Sequence, residues 1–345
     1  MKVTLDRIAE QVGLSKATVS KALRQSSDLN KDTITRVTDV ALAMGYKPRV
    51  YGRKSLAKSI NSKPPMSMVS LVFYKQNHAF IHDSPYFAAV INRLYKFFQA
   101  SGVMLVESYP SNPDELARIL SSRESEAAVF LSNLQHIEPE TAYQMLVFSK
   151  QKPLILLGNY LQKYINDFPS VRADNFTAGY RMARYHLDKG IRHTIFVQCF
   201  PDMALVADRR FGFLKAVDEF NLQPNLAVLD ALHDHKQAEV DKIRQIIAGA
   251  GREPVGFVSD GDISALVLIK MLKGLGIFDE TVHHVTGIDG FPVLVPGDGR
   301  KATFRIDLDS MTRQAVELAS RMHFGNFEKV EQILVSGDII ENRAE

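Results

Sequence analysis

Two patterns of hydrophobic and polar positions divide the chain. Up to residue 48, short amphipathic stretches are separated by glycine and serine, whereas from Met66 onward compact apolar runs alternate with longer amphipathic stretches. Apolar residues three and four apart indicate helices, and an apolar run followed by an amphipathic stretch is typical of a buried strand and its covering helix. The sequence therefore predicts a helical head over residues 1–48, a linker over 49–65 and an α/β core over 66–345.

The head is predicted to hold three helices. Thr4 is placed to cap the first, and Gly13 supplies the left-handed turn that ends it. Ser15 caps a second helix over Lys16–Leu23, and a third begins at Asn30. The apolar face of the first helix is formed by Leu5, Ile8, Ala9 and Val12, and that of the second by Val19, Ala22 and Leu23. Two short helices joined by a glycine turn and covered by a third predict a helix-turn-helix.

The outer face of the second helix carries the candidate chemistry of the head. Its residues are Lys16, Ala17, Ser20 and Lys21. In a helix-turn-helix, polar side chains at the start of this helix reach base edges in the major groove of DNA. A three-helix bundle without a DNA function explains the apolar positions equally well, but it does not explain these outward polar residues.

The charge distribution favours a polyanionic partner for the head. Residues 1–63 contain thirteen Lys and Arg against five Asp and Glu, a net charge of +8, whereas the rest of the chain carries −5. Positive charge clustered on a small module is the electrostatic footprint of nucleic acid binding. A solvated basic face is the alternative interpretation of the charge alone.

The segments VTLDRIAEQVGLSKATVSKAL over Val3–Leu23 and MGYKP over Met44–Pro48 closely resemble the head of the LacI/GalR family of bacterial transcription regulators. The resemblance implies that Lys16, Ala17 and Lys21 read operator bases. It implies contacts to the DNA backbone from Thr4, Ser15, Thr18, Ser20, Asn30, Thr33 and Tyr46. Ile34 departs from the family pattern, which often has Arg there.

The linker is basic and ends at Pro64-Pro65, with six Lys and Arg and no acid between Lys47 and Lys63. The resemblance implies a hinge helix that forms on DNA, with Arg53 and Leu56 contacting DNA and Leu56 wedged into the minor groove. The family hinge is altered here, because Arg49, Gly52 and Ser55 stand where Asn, Ala and Leu are usual.

The core is predicted to form two doubly wound lobes with parallel sheets, similar to periplasmic binding proteins, with a break near Tyr160–Asp167. Strands are expected over Val69–Tyr74, Val103–Glu107, Ala127–Leu131, Leu154–Leu157, Thr194–Gln198, Val255–Val258 and His284–Gly287. Helices are expected over Tyr86–Ala100, Glu140–Lys150, Thr177–Lys189, Arg209–Phe220, Gln237–Ile247 and Ile263–Lys273. Ligands of such sheets bind in a crevice beyond the carboxyl ends of the strands.

The family resemblance extends across the core through five short motifs. They lie at Pro85–Phe87, Arg172–Gly179, Arg209–Phe213, Asp262–Leu266 and Val285–Asp289, with Gly290 in place of a second Asp. The resemblance implies an effector pocket formed by Tyr86, Phe87, Asn159, Asp174, Arg209 and Asp289. Arg offers a rigid fork of donors, Asp accepts from two hydroxyls, and an aromatic face packs on a sugar or base. An interlobe salt bridge between Arg209 and an Asp is the alternative interpretation.

Met203 and Leu205 stand where family members often place polar effector-binding side chains. Their apolar side chains argue against the specificity of lactose-type or purine-type family members. They favour a less polar or differently oriented ligand.

Other motifs point to no enzyme, cofactor or metal site. Gly249-Ala-Gly251 follows a helix and precedes a strand, the reverse of a dinucleotide-binding turn. Gly297-Asp-Gly299 lacks the spacing of a phosphate-binding loop, and Cys199 has no context for a nucleophile. His78 with His82, and His233 with His235, have no third ligand in register, so we expect no metal.

The sequence as a whole predicts a DNA-binding transcription regulator, expected to be a repressor, controlled by a small effector such as a sugar or related metabolite. No apolar stretch of about 18 residues and no signal peptide are evident, so a cytoplasmic protein without membrane association is expected. A homodimer is expected rather than a tetramer, because Leu334–Glu345 is short and polar and carries no heptad tail. Since a symmetric dimer presents two identical heads, a pseudo-palindromic operator in double-stranded DNA is expected. A sugar-binding module for transport and an enzyme with an accessory DNA-binding head are the alternatives.

Overall fold

The structure is a computed structural model. It describes residues 4–23, 29–30, 33, 36–37, 40, 44, 64–131, 137–158, 165–201, 203–229, 237–291, 299–325 and 330–342. The chain divides into two compact units, Met1–Pro64 and Pro65–Glu345.

The described part of the first unit contains α1 (Leu5–Val12) and α2 (Lys16–Leu23). Gly13 ends α1 in the left-handed conformation at φ 66°, which a residue without Cβ adopts readily. The Ser15 hydroxyl accepts a hydrogen bond from the Thr18 N–H at 3.0 Å, which caps α2 as predicted. Thr4 occupies the N-cap position of α1 as predicted, but its side chain makes no capping hydrogen bond. Its carbonyl accepts the first helical hydrogen bond, from the Ile8 N–H at 3.2 Å.

The head has its own apolar core. Its buried residues are Ile8, Ala9, Val12, Val19, Ala22 and Val37. Thr33, Arg36, Val37 and Val40 are helical, as the predicted third helix requires. The side chain of Leu23 lies outside the described residues.

The second unit contains two six-stranded sheets, each with its own lobe. The first sheet has the order β11-β5-β4-β3-β1-β2, with β1 (Met68–Val72), β2 (Met104–Ser108), β3 (Ala127–Leu131), β4 (Leu154–Leu157), β5 (Ser170–Ala173) and β11 (Gln332–Val335). The second has the order β12-β10-β9-β8-β6-β7, with β6 (His193–Gln198), β7 (Asn225–Val228), β8 (Val255–Ser259), β9 (His283–Asp289), β10 (Arg300–Ile306) and β12 (Gly337–Glu341). All the pairings are parallel except that of β10 with β12.

Helices cover both faces of each sheet, so both lobes are doubly wound as predicted. The first lobe has α3 (His78–Asp83), α4 (Pro85–Ala100), α5 (Pro113–Ser121), α6 (Pro139–Ser149) and α11 (Leu308–His323). The second has α7 (Asn175–Leu187), α8 (Ala204–Glu219), α9 (Gln237–Ala250) and α10 (Asp262–Gly274). Central strands such as β3, β4 and β8 are fully buried, which is why they read as unbroken apolar runs in the sequence.

The chain passes between the lobes three times, at Asp174, Asp307 and Ser336. The predicted break near Tyr160–Asp167 is wrong, because β5 still belongs to the first sheet and the first crossing follows it. The crossings are joined by backbone hydrogen bonds from the Asp174 N–H to the Val335 carbonyl at 2.8 Å and from the Asp307 N–H to the Ser336 carbonyl at 3.3 Å. None of the helices in the described ranges is long and apolar enough to span a membrane.

The C-terminal segment contains two strands, whereas the sequence predicts only a short polar tail there. β11 joins the first sheet in parallel and β12 joins the second in antiparallel register. Five strands were absent from the predicted set, namely β5, β7, β10, β11 and β12. Several of their positions are only half-buried, so the apolar signal in the sequence is weaker there.

Candidate functional site

A cavity of about 400 Å³ lies between the two lobes of the second unit. It is positioned by the carboxyl ends of parallel strands, since Gly158 follows β4, Phe200 closely follows β6, Asp260 follows β8 and Asp289 ends β9. This is the edge at which open α/β sheets bind ligands. Its size and its mixture of apolar walls and a few polar groups are typical of small-molecule sites. We call it the interlobe cavity.

The first lobe contributes an aromatic wall. Phe80 on α3 and Tyr86 and Phe87 on α4 line the cavity, and the Tyr86 and Phe87 rings meet edge to face at 5.6 Å. Pro85 occupies the first turn of α4, where its fixed backbone angle suits the helix start and places Tyr86 at the cavity. Tyr86 also meets Phe291 of the second lobe, edge to face at 6.5 Å, so aromatic rings from both lobes approach each other.

The second lobe contributes a buried polar network centred on Arg209. The Arg209 guanidinium donates from Nε to Asn175 Oδ1 at 2.7 Å, from Nη1 to the Asp260 carbonyl and from Nη2 to Asp289 Oδ1 at 2.8 Å. The side chains of Arg209 and Asp289 are 5% and 18% exposed. All four residues belong to the second lobe, so the interlobe salt bridge considered from the sequence is an intralobe bridge facing the cavity.

Close helix packing sets Arg209 beside Asn175. A Cβ added to Gly179 on α7 would lie 1.9 Å from the Arg209 carbonyl oxygen, and one added to Gly212 on α8 would lie 2.0 Å from that of Phe176. Only glycine allows the two helix backbones to approach so closely. The Gly179 and Gly212 positions therefore fix where the guanidinium enters the cavity.

The end of β9 has an unusual backbone that aims Asp289. Asp289 has φ 125° and Gly290 has φ 78°, conformations that L side chains rarely adopt. A Cβ at position 290 would lie 2.4 Å from Arg305 Cα. On this backbone a side chain at position 290 would clash with Arg305, so glycine suits the position where the motif has a second Asp.

Burial dominates the electrostatics of the second-lobe wall. It raises the pKa of Asp289 although the Arg209 guanidinium beside it acts in the opposite direction, and it also raises the pKa of Asp260. Burial, with repulsion from Asp289, raises the pKa of Asp262 to about 6 despite the nearby Arg300. These carboxylates are therefore largely shielded from bulk water. A hydrogen bond from a ligand to one of them is stronger in this shielded environment than it would be in water.

The sequence-predicted effector residues fall into three groups. Tyr86, Phe87, Arg209 and Asp289 all line the interlobe cavity, as do Met203 and Leu205. Asp174 does not line it, because its carboxylate accepts from the Thr177 N–H at 3.0 Å and caps α7. Asn159 lies outside the described residues.

Sequence reasoning missed Asn175, Asp260 and Phe291. Asp260 Oδ2 accepts from the Cys199 and Phe200 N–H groups at 2.9 and 3.1 Å and so anchors the loop that carries Phe200. Asp262 Oδ2 accepts from the Phe291 N–H at 2.8 Å and so anchors the segment after β9 that carries Phe291. The polar run Ser259–Asp262 directly after a buried strand was the signal available in the sequence.

The head carries its candidate site on the outer face of α2. Lys16, Ala17 and Lys21 are exposed and Thr18 and Ser20 half-buried, whereas Val19 and Ala22 face the head core. Lys16 Nζ lies 2.8 Å from Asp6 Oδ2, with both side chains 60% exposed. An exposed pair of this kind is worth under about 1 kcal/mol, so Lys16 can leave Asp6 at little cost.

The remaining sequence-predicted DNA contacts are distributed as follows. Thr4 and Asn30 are exposed, and Thr33 is half-buried on a helical segment. Tyr46, Arg53 and Leu56 lie outside the described residues, as does Ile34 and most of the predicted linker. Their roles stay predictions.

A second group of polar residues lies on the outer edge of the first lobe. Nitrogen and oxygen atoms of His78, His82 and Glu107 all lie within 4.8 Å of one another. The expectation that the His78 and His82 pair has no third ligand in register is therefore wrong, because β2 brings Glu107 beside them.

Both the head and the core of this chain are similar to known proteins. Residues 4–49 match the family model described as bacterial regulatory proteins, lacI family. The HTH-type transcriptional regulator MalR of Streptococcus pneumoniae is 23% identical over 226 residues, 64% of this chain and 65% of that protein, slightly under two thirds of its length. The sucrose operon repressor of Streptococcus mutans is 23% identical over 295 residues, 84% of this chain and 82% of that protein.

Solved structures share the fold. A transcriptional regulator CelR–cellobiose complex aligns with a TM-score of 0.65 at 16% identity, covering 100% of both chains. An ABC transporter periplasmic solute binding protein from Actinobacillus succinogenes with bound D-allose aligns with a TM-score of 0.61 at 16% identity, over 80% of this chain and 97% of that one. Its likeness shows that the two-lobed architecture is shared with periplasmic binding proteins. The head, residues 4–49, therefore matches the lacI family of bacterial regulatory proteins, and the chain as a whole is similar to transcription regulators and repressors.

Proposed function

We propose that this chain is a sequence-specific transcription regulator, acting as a repressor, whose DNA affinity is controlled by a small effector bound in the interlobe cavity. The proposed active species is a homodimer on a pseudo-palindromic operator, because two identical heads related by a twofold axis read two equivalent half-sites. Because the proposed operator would lie on a bacterial chromosome, the proposed activity would be cytoplasmic.

The outer face of α2 is the observation that carries the DNA-binding proposal. Lys16 and Lys21 stand on either side of Ala17 and Ser20, on the face opposite the head core. Lys donates to the O6 and N7 acceptors of guanine in the major groove. The sequence-predicted backbone contacts, led by Ser15 and Thr18, would set the register of the helix on the duplex.

The interlobe cavity supports a small hydroxylated effector, a sugar or related metabolite. Asp289, which is partly exposed to the cavity, and the buried Asp260 offer acceptors, Arg209 offers donors, and Tyr86 offers a ring on which an apolar sugar face can pack. The names of similar proteins agree with this class, since they include a sucrose operon repressor and a regulator in complex with cellobiose. Met203 and Leu205 make one side less polar, which favours a ligand with an apolar face.

Effector control would operate through the three crossings between the lobes. A ligand that contacts Tyr86 on one side and Asp289 on the other has a different affinity for open and closed lobe arrangements. The angle between the lobes in each protomer would set the spacing of the two heads. By linkage, the operator must change effector affinity by the same factor as the effector changes operator affinity.

Two alternatives have less support. A sugar-binding protein for transport shares the fold but has no use for the head with its exposed Lys16 and Lys21. An enzyme would need a nucleophile or an acid–base pair at the cavity. Cys199 is fully buried and is not among the residues that line the cavity, and its backbone N–H donates to Asp260.

Selection of bound sequences from random duplex DNA by the full chain tests the DNA-binding proposal. We expect a pseudo-palindromic consensus with the parent and a relaxed consensus with Lys16→Ala/Lys21→Ala. A thermal-shift screen of mono- and disaccharides with the full chain then identifies the effector class. Recovery of unselected sequences by the parent would contradict the regulator proposal, whereas recovery of a consensus with no stabilising sugar would contradict only the effector class.

A further inference from the structure

Two histidines and a glutamate form a cluster on the outer edge of the first lobe, and none of the three is among the residues that line the interlobe cavity. His78 and His82 are four residues apart on α3 and therefore share one face of the helix. Glu107 lies on β2, the edge strand of the first sheet. Their nitrogen and carboxylate oxygen atoms all lie within 4.8 Å of one another.

The spacing of these atoms is close to that of a metal coordination sphere. His82 Nε2 lies 2.9 Å from Glu107 Oε2, and the His78 and His82 rings stack with centroids 4.3 Å apart. Zinc binds imidazole nitrogen and carboxylate oxygen at about 2.0–2.2 Å in tetrahedral geometry, which separates neighbouring ligand atoms by about 3.3 Å. Small rotations of three partly exposed side chains would bring them to that spacing.

The glutamate is already held by groups behind it. The Tyr95 hydroxyl donates to Glu107 Oε1 at 3.1 Å and the Tyr109 hydroxyl donates to Oε2 at 2.5 Å. Tyr109 is itself fixed by stacking on Phe73, with ring centroids 4.9 Å apart. Carboxylate ligands of metal sites are typically oriented by such outer hydrogen bonds.

We propose that His78, His82 and Glu107 bind a divalent first-row transition metal ion, with Zn²⁺ as the reference ion. Two imidazoles and one carboxylate suit Zn²⁺ and its neighbours Co²⁺ and Ni²⁺ and disfavour Mg²⁺ and Ca²⁺, which prefer oxygen ligands. Water would complete the tetrahedron at the solvent side, where both histidines are exposed.

The ion would bridge α3 to β2. α3 is a helix of six residues whose other side carries Phe80 and Asp83 to the interlobe cavity. Binding would therefore tether the element that supplies part of the first-lobe wall. Slower exchange of the backbone amides of α3 would report this tether, and that measurement is independent of the metal affinity.

Calorimetric titration of the full chain with ZnCl₂ tests the proposal. We expect one ion per chain at this site, affinity at least tenfold weaker in His78→Gln, His82→Gln and Glu107→Gln, and slower amide exchange over residues 79–83 with Zn²⁺. Co²⁺ bound by the parent should show the strong visible absorption of a tetrahedral ion. Equal melting temperatures without metal establish that the variants are folded.

His193→Gln is the matched control. His193 resembles His82 in having a side chain 36% exposed and a ring nitrogen 3.0 Å from a glutamate oxygen, that of Glu253. Among the described residues, no second histidine completes a group of three ligands there. We expect parental Zn²⁺ affinity in this control and in His233→Gln/His235→Gln. Parental affinity in the His78, His82 and Glu107 variants, no binding by the parent, or loss of binding in either control would overturn the proposal.

Discussion

The head and the core each contain an ion pair of the same length in opposite surroundings. Lys16 and Asp6 lie 2.8 Å apart with both side chains 60% exposed, and Arg209 and Asp289 lie 2.8 Å apart with side chains 5% and 18% exposed. Water screens the first pair, so its net stabilisation is small. The second pair has lost most of its hydration, so each partner depends on the other.

This difference suits two modes of recognition. In the proposed function Lys16 exchanges Asp6 for a base edge, and the exposure of the Lys16–Asp6 pair keeps the cost of that exchange small. Arg209 is held by Asn175, the Asp260 carbonyl and Asp289, so the second-lobe wall is organised before a ligand arrives. An organised wall loses less entropy on binding than a mobile one. Substitutions at either ion pair test this difference.

Loss of Arg209 should have the largest effect. Arg209→Ala leaves Asp289 and the Asp260 carbonyl buried without their donor, and we expect it to lower the free energy of unfolding by about 3–5 kcal/mol. Urea denaturation of the full chain measures this. Arg321→Ala removes an exposed fork-shaped pair with Glu331 and should leave the midpoint nearly unchanged. Equal effects of the two variants would contradict the comparison.

Asp289→Asn should separate effector binding from DNA binding. Asparagine keeps an acceptor for Arg209 but removes the charge that would accept ligand hydroxyls, so we expect effector affinity to fall about 10–100-fold with operator affinity retained. Isothermal titration with an identified sugar checks this. Asp241→Asn, at an exposed pair with Arg244, is the control. Parental sugar affinity in Asp289→Asn would remove Asp289 from the site.

The head lysines should affect specificity more than stability. Lys16→Ala or Lys21→Ala should cost about 1–3 kcal/mol in operator binding and bring the operator closer to random DNA in affinity. Competition binding with both DNAs measures the ratio. An unchanged ratio in both variants would show that neither lysine reads a base.

Removing the partner of Lys16 should have the smallest effect, in the opposite direction. Asp6→Asn frees Lys16 and deletes a negative charge near the phosphates, so we expect DNA affinity to rise a few-fold, under about 1 kcal/mol. The gain should shrink at higher salt. Weaker DNA binding in Asp6→Asn would mean that Asp6 orients Lys16 instead of competing for it.

Local features of the molecule were predictable from the sequence. Gly13 and Ser15 act within one turn of where they stand, so the helix-turn-helix could be placed from residue types alone. β3 and β4 were predicted with their observed bounds, because strands buried on both faces are unbroken apolar runs. The resemblance supplied Arg209 and Asp289 as cavity residues.

Features that depend on distant partners were not predictable. Arg209 meets Asn175, 34 residues away, and Asp289, 80 residues away, and no local pattern links them. Asp174 was assigned to the pocket by its motif, yet its carboxylate is used as a helix cap. β12 pairs in antiparallel register with β10, a choice decided by the third crossing between the lobes and not by its own residues.

The central proposal is that an effector bound against Asp289 in the interlobe cavity controls the affinity of the chain for DNA. Its most direct test is the operator dissociation constant of the full chain with and without a saturating sugar identified by the thermal-shift screen, for the parent and for Asp289→Asn. We expect the sugar to change the parental constant at least fivefold, with the operator changing sugar affinity by the same factor, and to change that of Asp289→Asn by less than twofold at the same sugar concentration. An operator constant that does not respond to the sugar in the parent, or that responds equally in both proteins, would contradict the claim.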